Sequence, residues 1–143
     1  MNKLLVVGTV AFDSIDTPES KVEKVLGGSA SYISISASLF NIKTAIVSIV
    51  GEDFPAEYFE IFNERDIDIS SLKIAKNEKT FFWEGKYYHN MNVRDTIKTE
   101  VNALENFDPK IPEDYNSPNV IVLGNLDPIV QLKVMDQIKK PAT

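Results

Sequence analysis

Three short runs constrain this chain most: Leu4-Leu5-Val6-Val7, Ala45 to Val50 and Val120-Ile121-Val122-Leu123. They are nearly continuous in apolar residues rather than alternating, as expected of strands covered on both faces of a parallel sheet. Each is followed at once by glycine, at Gly8, Gly51 and Gly124. In open α/β sheets, ligands sit beyond the carboxyl ends of the strands, and glycine there lets backbone turn sharply or approach a ligand. A single glycine is equally a plain tight turn. Three in equivalent places favour a shared, ligand-facing edge.

Helices are expected between these runs. Ala30, Ile33, Ala37 and Phe40 keep a 3-4-3 spacing, with Tyr32, Ile35 and Leu39 on a neighbouring face. This helix is small and apolar almost all round, so it is expected to be largely buried. A second helix is expected over residues 55–65, with Tyr58, Phe59 and Phe62 as its apolar stripe. A third is expected from Pro128 to about Lys140, with Asp127 as N-cap and Val130, Val134 and Ile138 as the stripe. Lys139-Lys140 before Pro141 suit its C-terminus.

Two regions depart from this alternation. Residues 14–26 are polar and lead to Gly27, and residues 80–101 are rich in β-formers. Phe81-Phe82-Trp83, Glu84-Gly85-Lys86 and Tyr87-Tyr88 read as strand, turn and strand of a hairpin. A continuing strand would place Tyr87, Met91 and Val93 on one face. Together the two regions are expected to form a small sheet projecting from the α/β core. Residues 106–119 hold three prolines and read as a connecting loop.

The chain has 143 residues, which suits one domain, with 43% hydrophobic and 25% charged residues. Its net charge of −6 disfavours nucleic acid and anionic membrane as main partners. The absence of cysteine excludes disulfides and thiolate metal sites, and the single histidine, His89, excludes a two-histidine site. No apolar run approaches the roughly 20 residues of a membrane span. Leu4 to Val7 is too short for a signal-peptide core, so a cytoplasmic protein is expected.

Several residues are candidates for chemistry. Gly27-Gly28-Ser29 opens the small-residue helix. Adjacent glycines admit a ligand to the backbone, and a helix start offers N–H donors to its polar groups. A flexible helix entry accounts for the same residues. Asp13 lies five residues past Gly8. A carboxylate there can accept hydrogen bonds from two adjacent hydroxyls of a polyol, although a surface turn acid has the same spacing. Asn125 and Asp127 lie just past the third run, and Asp53 after Gly51 is expected to cap the following helix. Arg94 and Asn92 lie in the second projecting region, where an arginine suits contact with substrate or a later phosphate, or a solvated face. Trp83, Tyr87 and Tyr88 read as hairpin core or interface rather than as a stacking platform. No Gly-x-x-x-x-Gly-Lys-Ser/Thr loop, Gly-x-Gly-x-x-Gly fingerprint or Gly-x-Ser-x-Gly elbow occurs.

Taken in order, these segments resemble the ribokinase/PfkB-type carbohydrate kinases, which phosphorylate sugars or nucleosides. The resemblance rests on strand–Gly8 to Asp13, Gly27-Gly28 opening a small-residue helix, Ser48-Ile49-Val50-Gly51-Glu52-Asp53, Thr80 in a β-rich insert and Gly124-Asn125-Leu126-Asp127-Pro128. It covers essentially all of this chain but only the first half of such a kinase. It implies a partial, doubly wound α/β core over about residues 1–14, 26–73 and 117–143. It also implies a β-sheet lid over about 15–25 and 74–105, often a dimer clasp. Substrate contact is implied for Asp13, Gly27 and Gly28, and more weakly for Asn125 and Asp127. ATP and Mg2+ would serve the complete enzyme, transferring phosphate to a hydroxymethyl group. Neither is expected to be bound fully by this chain.

Two departures from the family pattern stand out. Tyr32 occupies the place of an asparagine that usually helps to hold the sugar. The Gly-Ala-Gly-Asp motif, which supplies the anion-binding helix start and the aspartate base, is absent. The chain is therefore expected to be part of a longer kinase and inactive alone, with no catalytic residue of its own and no metal site. The alternative is a non-catalytic ligand-binding or dimerisation module of the same fold.

Overall fold

The computed structural model describes residues 3–139. In chain order the elements are β1 (Lys3–Val7), β2 (Ala11–Asp16), β3 (Lys21–Gly27), α1 (Ser29–Ser38), β4 (Lys43–Gly51), α2 (Ala56–Asn63), β5 (Asp68–Ala75), β6 (Phe82–Tyr87), β7 (Arg94–Glu100), β8 (Val120–Leu123) and α3 (Pro128–Met135). Short 3-10 turns at Asn102–Asn106 and Glu113–Tyr115 break up the loop before β8.

The three apolar runs become β1, β4 and β8, joined by β5 in a sheet of order β5-β4-β1-β8 with every neighbouring pair parallel. Alternate residues feed two cores, which is why the runs are continuous. Leu4, Val6, Ile46 and Val50 pack with Ala30 and Phe62 under α1 and α2. Leu5, Val7, Ala45 and Val47 pack with Phe107, Tyr115 and Val134 on the other face. Among the described residues, no helix is long and apolar enough to cross a membrane.

The expected sheet of about three strands has four. β5 carries polar residues at Asp68, Ser70 and Ser71 and buries only Leu72, so its apolar pattern is weak. The first helix is also less buried than its composition implied. Ala30, Ser31 and Ser34 face inward, but Tyr32, Leu39 and Phe40 are exposed. Its fully buried positions are small residues, while Ile33 and Ile35 pack against the core only in part. The third helix ends at Met135, and Lys140 and Pro141 lie outside the described residues.

The second sheet has the order β3-β2-β6-β7, with β2 and β6 parallel and the outer pairs antiparallel. The hairpin turn is not at Glu84-Gly85-Lys86. β6 runs unbroken through Gly85, and the chain reverses where Val93 N donates to Asn90 O (2.8 Å) and Tyr88 N to Val93 O (3.1 Å). Met91 and Val93 therefore belong to the turn region, not to a continuing strand face. A side chain at position 85 would run into the Trp83 ring, which suits glycine to this strand position.

Candidate functional site

β1 ends at Gly8, and the next residue, Thr9, ties three parts of the chain together. Thr9 N donates to Ser29 Oγ (3.3 Å), and Ser29 N donates to Thr9 Oγ1 (3.0 Å). Ala30 N donates to Thr9 O (2.9 Å). Thr9 Oγ1 and Ser29 Oγ both donate to Asn125 Oδ1, at 3.0 and 2.7 Å. The ends of β1 and β8 and the start of α1 thus converge on one amide oxygen. This arrangement corrects one expectation: the Ser29 and Ala30 N–H groups at the helix start are taken up by Thr9 and are not free for a ligand.

Glycines give this junction its tightness. A side chain at Gly8 or Gly124 would run into Ser29 Oγ. Gly28 has φ 93° and ψ 147°, which L-residues rarely adopt, and a Cβ there would press on the Thr9 carbonyl. Ser48 supports the same turn from beneath: its buried Oγ donates to Gly8 O (2.6 Å) and accepts from Val10 N (3.2 Å).

β2 then carries Asp13 into the second sheet, beside Val25 of β3 and Trp83 of β6. The Asp13 carboxylate lies against Gly27, where any side chain would collide with it. Gly27 therefore makes room for an acid, in addition to any approach by a ligand. Partial burial pushes the Asp13 carboxyl above its ordinary value of 3.8.

These elements enclose a cavity of about 370 Å³, within the usual range for small-ligand sites. Thr9, Asp13, Gly28, Ser29 and Asn125 line it together with Tyr32, Phe81, Trp83 and Arg94. Of the residues singled out in the sequence, Asp13, Gly28, Asn125 and Arg94 meet here, with Gly27 directly behind Asp13. Asp127 does not line this cavity. Its Oδ1 accepts from Ile129 N (2.7 Å) as the cap of α3, and it lines an adjoining, more apolar cavity with Phe81, Leu104 and Phe107.

Asp53 does not cap α2 through its side chain; the position before the helix is Pro55, with no side-chain cap. Instead Asp53 Oδ1 accepts from both Thr80 N and Thr80 Oγ1, each at 2.7 Å. Thr80 Oγ1 in turn accepts from Gly51 N (3.0 Å). This clamp fixes the entry into β6 against the end of β4. Asp53→Ala removes a charged acceptor from two donors and is expected to cost about 2 kcal/mol, read as a lowered urea midpoint with an unchanged slope.

Thr9, Ser29, Phe81 and Trp83 were not picked out as site residues from the sequence. Thr9 and Ser29 each adjoin a glycine motif, and that adjacency was the available signal. Trp83 had none, because its place beside Asp13 depends on the parallel pairing of β2 with β6.

No family model matches the chain. A cytidine kinase of Thermococcus kodakarensis is 29% identical over 139 residues, which are 97% of this chain and 49% of that kinase. The crystal structure of the Methanocaldococcus jannaschii nucleoside kinase, an archaeal member of the ribokinase family, matches with a TM-score of 0.79 at 21% identity, covering 99% of this chain and 50% of that one. The ribokinase of Cryptococcus neoformans, solved in complex with ADP, matches with a TM-score of 0.64 at 15% identity, covering 92% of this chain and 43% of that one. The chain spans about half the length of the Thermococcus kodakarensis kinase.

Proposed function

We propose, from the premise that this chain has the ribokinase fold and matches the N-terminal half of a ribokinase-type kinase, that it is the substrate-binding half of an ATP-dependent sugar or nucleoside kinase. The reaction would move the γ-phosphate to a hydroxymethyl group. The observation that carries this reading is the half-buried Asp13 carboxylate in a cavity that also holds the Asn125 amide. A carboxylate accepts from two neighbouring hydroxyls. The Asn125 Nδ2 has no protein acceptor among the described residues, so it can donate to a third group.

Holding a diol leaves the hydroxymethyl group to be activated elsewhere. Phosphoryl transfer rests on positioning, on stabilising charge in the moving phosphoryl group and on a base for the acceptor hydroxyl. Among the described residues no three acid or imidazole side chains cluster to hold a divalent cation. The base and the nucleotide site are assigned to protein beyond this chain. In this reading residues 1–14, 26–73 and 117–143 form the core and 15–25 and 74–105 the lid. The kinase works in the cytoplasm, and the exposed Met91, Val93 and Ile97 of the lid support a homodimer.

Calorimetry of residues 1–143 with ribose, fructose, adenosine and cytidine tests the reading, together with a coupled ADP-release assay. Saturable binding of at least one ligand without ADP release is expected. Phosphate transfer by this chain alone would overturn the assignment of the base. Self-association without any ligand binding would leave a non-catalytic dimerisation module.

A further inference from the structure

Trp83 is seated over a glycine at an irregular point of β6, where the pairing with β7 shifts register between Glu84 and Gly85. Glycine within a strand weakens it and often marks close approach by another group. Gly85 nonetheless sits inside β6, buried, and a side chain there would strike the six-membered ring of Trp83. The indole lies over this bare backbone. Its Nε1 donates to Thr96 Oγ1 (3.3 Å) across on β7. Arg94, also on β7, places its guanidinium carbon 5.0 Å from the ring centroid. Two neighbouring residues on one strand thus pin the ring, and a third gives up its side chain to seat it.

The ring does not go on into a core. It remains partly exposed and lines the cavity with Arg94, Tyr32 and Phe81. Its ring leans along β6 over Gly85, while the Asp13 carboxylate, in register beside it, leans against Gly27. Arg94 forms no ion pair with a carboxylate among the described residues. The cavity therefore combines two chemistries. One offers a carboxylate and an amide, suited to hydroxyls. The other offers aromatic surface and a guanidinium, which donates hydrogen bonds and accepts none. A free pentose has hydroxyls for the first and hydroxyl acceptors for the guanidinium of the second, but no flat ring for its aromatic surface. A nucleoside has a diol for the first, and for the second a flat ring with carbonyl or ring-nitrogen acceptors.

We propose that Trp83, seated by Gly85 and covered by Arg94, is the specificity-determining wall of the cavity and selects a nucleoside over a free sugar by contact with its base. This rests on the reading of the cavity as a substrate site. Stacking of a base on an aromatic side chain is worth enough for roughly tenfold or greater discrimination.

Trp83 is the single tryptophan of the chain, so its emission reports this wall alone. Residues 1–143 are titrated with cytidine and with ribose, exciting on the red edge of the indole band where cytidine absorbs little. Calorimetry runs in parallel. Cytidine is expected to quench the emission with the calorimetric Kd. Ribose is expected to bind roughly tenfold or more weakly and to leave the emission unchanged. Trp83→Leu should bring the cytidine-to-ribose affinity ratio close to one, Arg94→Met should narrow it, and Trp83→Phe should retain most of it. Equal affinities for the two ligands, or an undiminished ratio in a folded Trp83→Leu chain, would overturn the wall while leaving the substrate site standing. Binding of neither ligand would overturn the substrate site itself, and the wall with it.

Discussion

Asp13→Asn is expected to weaken binding of a diol-bearing ligand by roughly a hundredfold or more, because two hydrogen bonds to a charged acceptor are each worth about 1.5–3 kcal/mol. The same substitution should make the free protein more stable at neutral pH. Burial raises the Asp13 carboxyl above 3.8, so the folded chain keeps that proton to a higher pH than the unfolded chain does. Stability therefore falls as pH rises from about the unfolded value through the folded one, and the penalty is complete above it. Asparagine carries no such penalty. Thermal melts across this window should show the variant above the wild type at neutral pH, with the gap closing as the pH is lowered. Binding runs the other way: wild-type affinity should fall as Asp13 is protonated. Calorimetry at several pH values reads this directly, and a pH-independent wild-type affinity would remove Asp13 from the site.

Gly28→Ala should produce the largest loss of stability. The residue sits at φ 93°, and a Cβ would come within 2.7 Å of the Thr9 carbonyl carbon. Strain of this kind costs of order 1–3 kcal/mol before the backbone contact is counted, so a total of about 4 kcal/mol is expected. Relief requires Thr9 to shift, and Thr9 holds Ser29 and Asn125. Ligand binding should therefore fail even where the variant remains folded. Urea unfolding followed by calorimetry separates the two effects, and a drop below about 1 kcal/mol would show that the junction yields.

What could be read from the residues alone follows the range of the forces involved. The strands β1, β4 and β8 and their terminal glycines were legible because two-sided burial leaves a local mark on composition. Asp13 and Gly28 were legible as candidates because each sits next to a strand end or helix start. Asp53 was misread because proximity to α2 in sequence suggested a cap, whereas its carboxylate meets Thr80, brought near by tertiary folding. The exposure of Tyr32, Leu39 and Phe40 depends on which face of α1 meets the sheet, which composition does not show when both faces are apolar. Trp83 reached the cavity through strand pairing between distant segments, and its neighbours in sequence pointed to a hairpin instead.

Among the described residues, the second sheet is fastened to the core through the root of β2 and β6 and, part-way along β3, through Tyr58, whose hydroxyl donates to Lys24 O (3.3 Å). Phe12 at the root of β2 packs against Phe54 (5.8 Å between ring centroids). Asp53 and Asn102 hold Thr80 before β6 begins, and Phe12 N donates to Phe81 O. At the far end, the reversals at residues 17–20 and 88–93 are largely exposed. The sheet is thus a lever with its fulcrum beside the Asp13 carboxylate. In the proposed substrate site, a rotation there would move Asp13 least and the distant reversals most, so contact with the hydroxyls would persist while Trp83 and Arg94 shift.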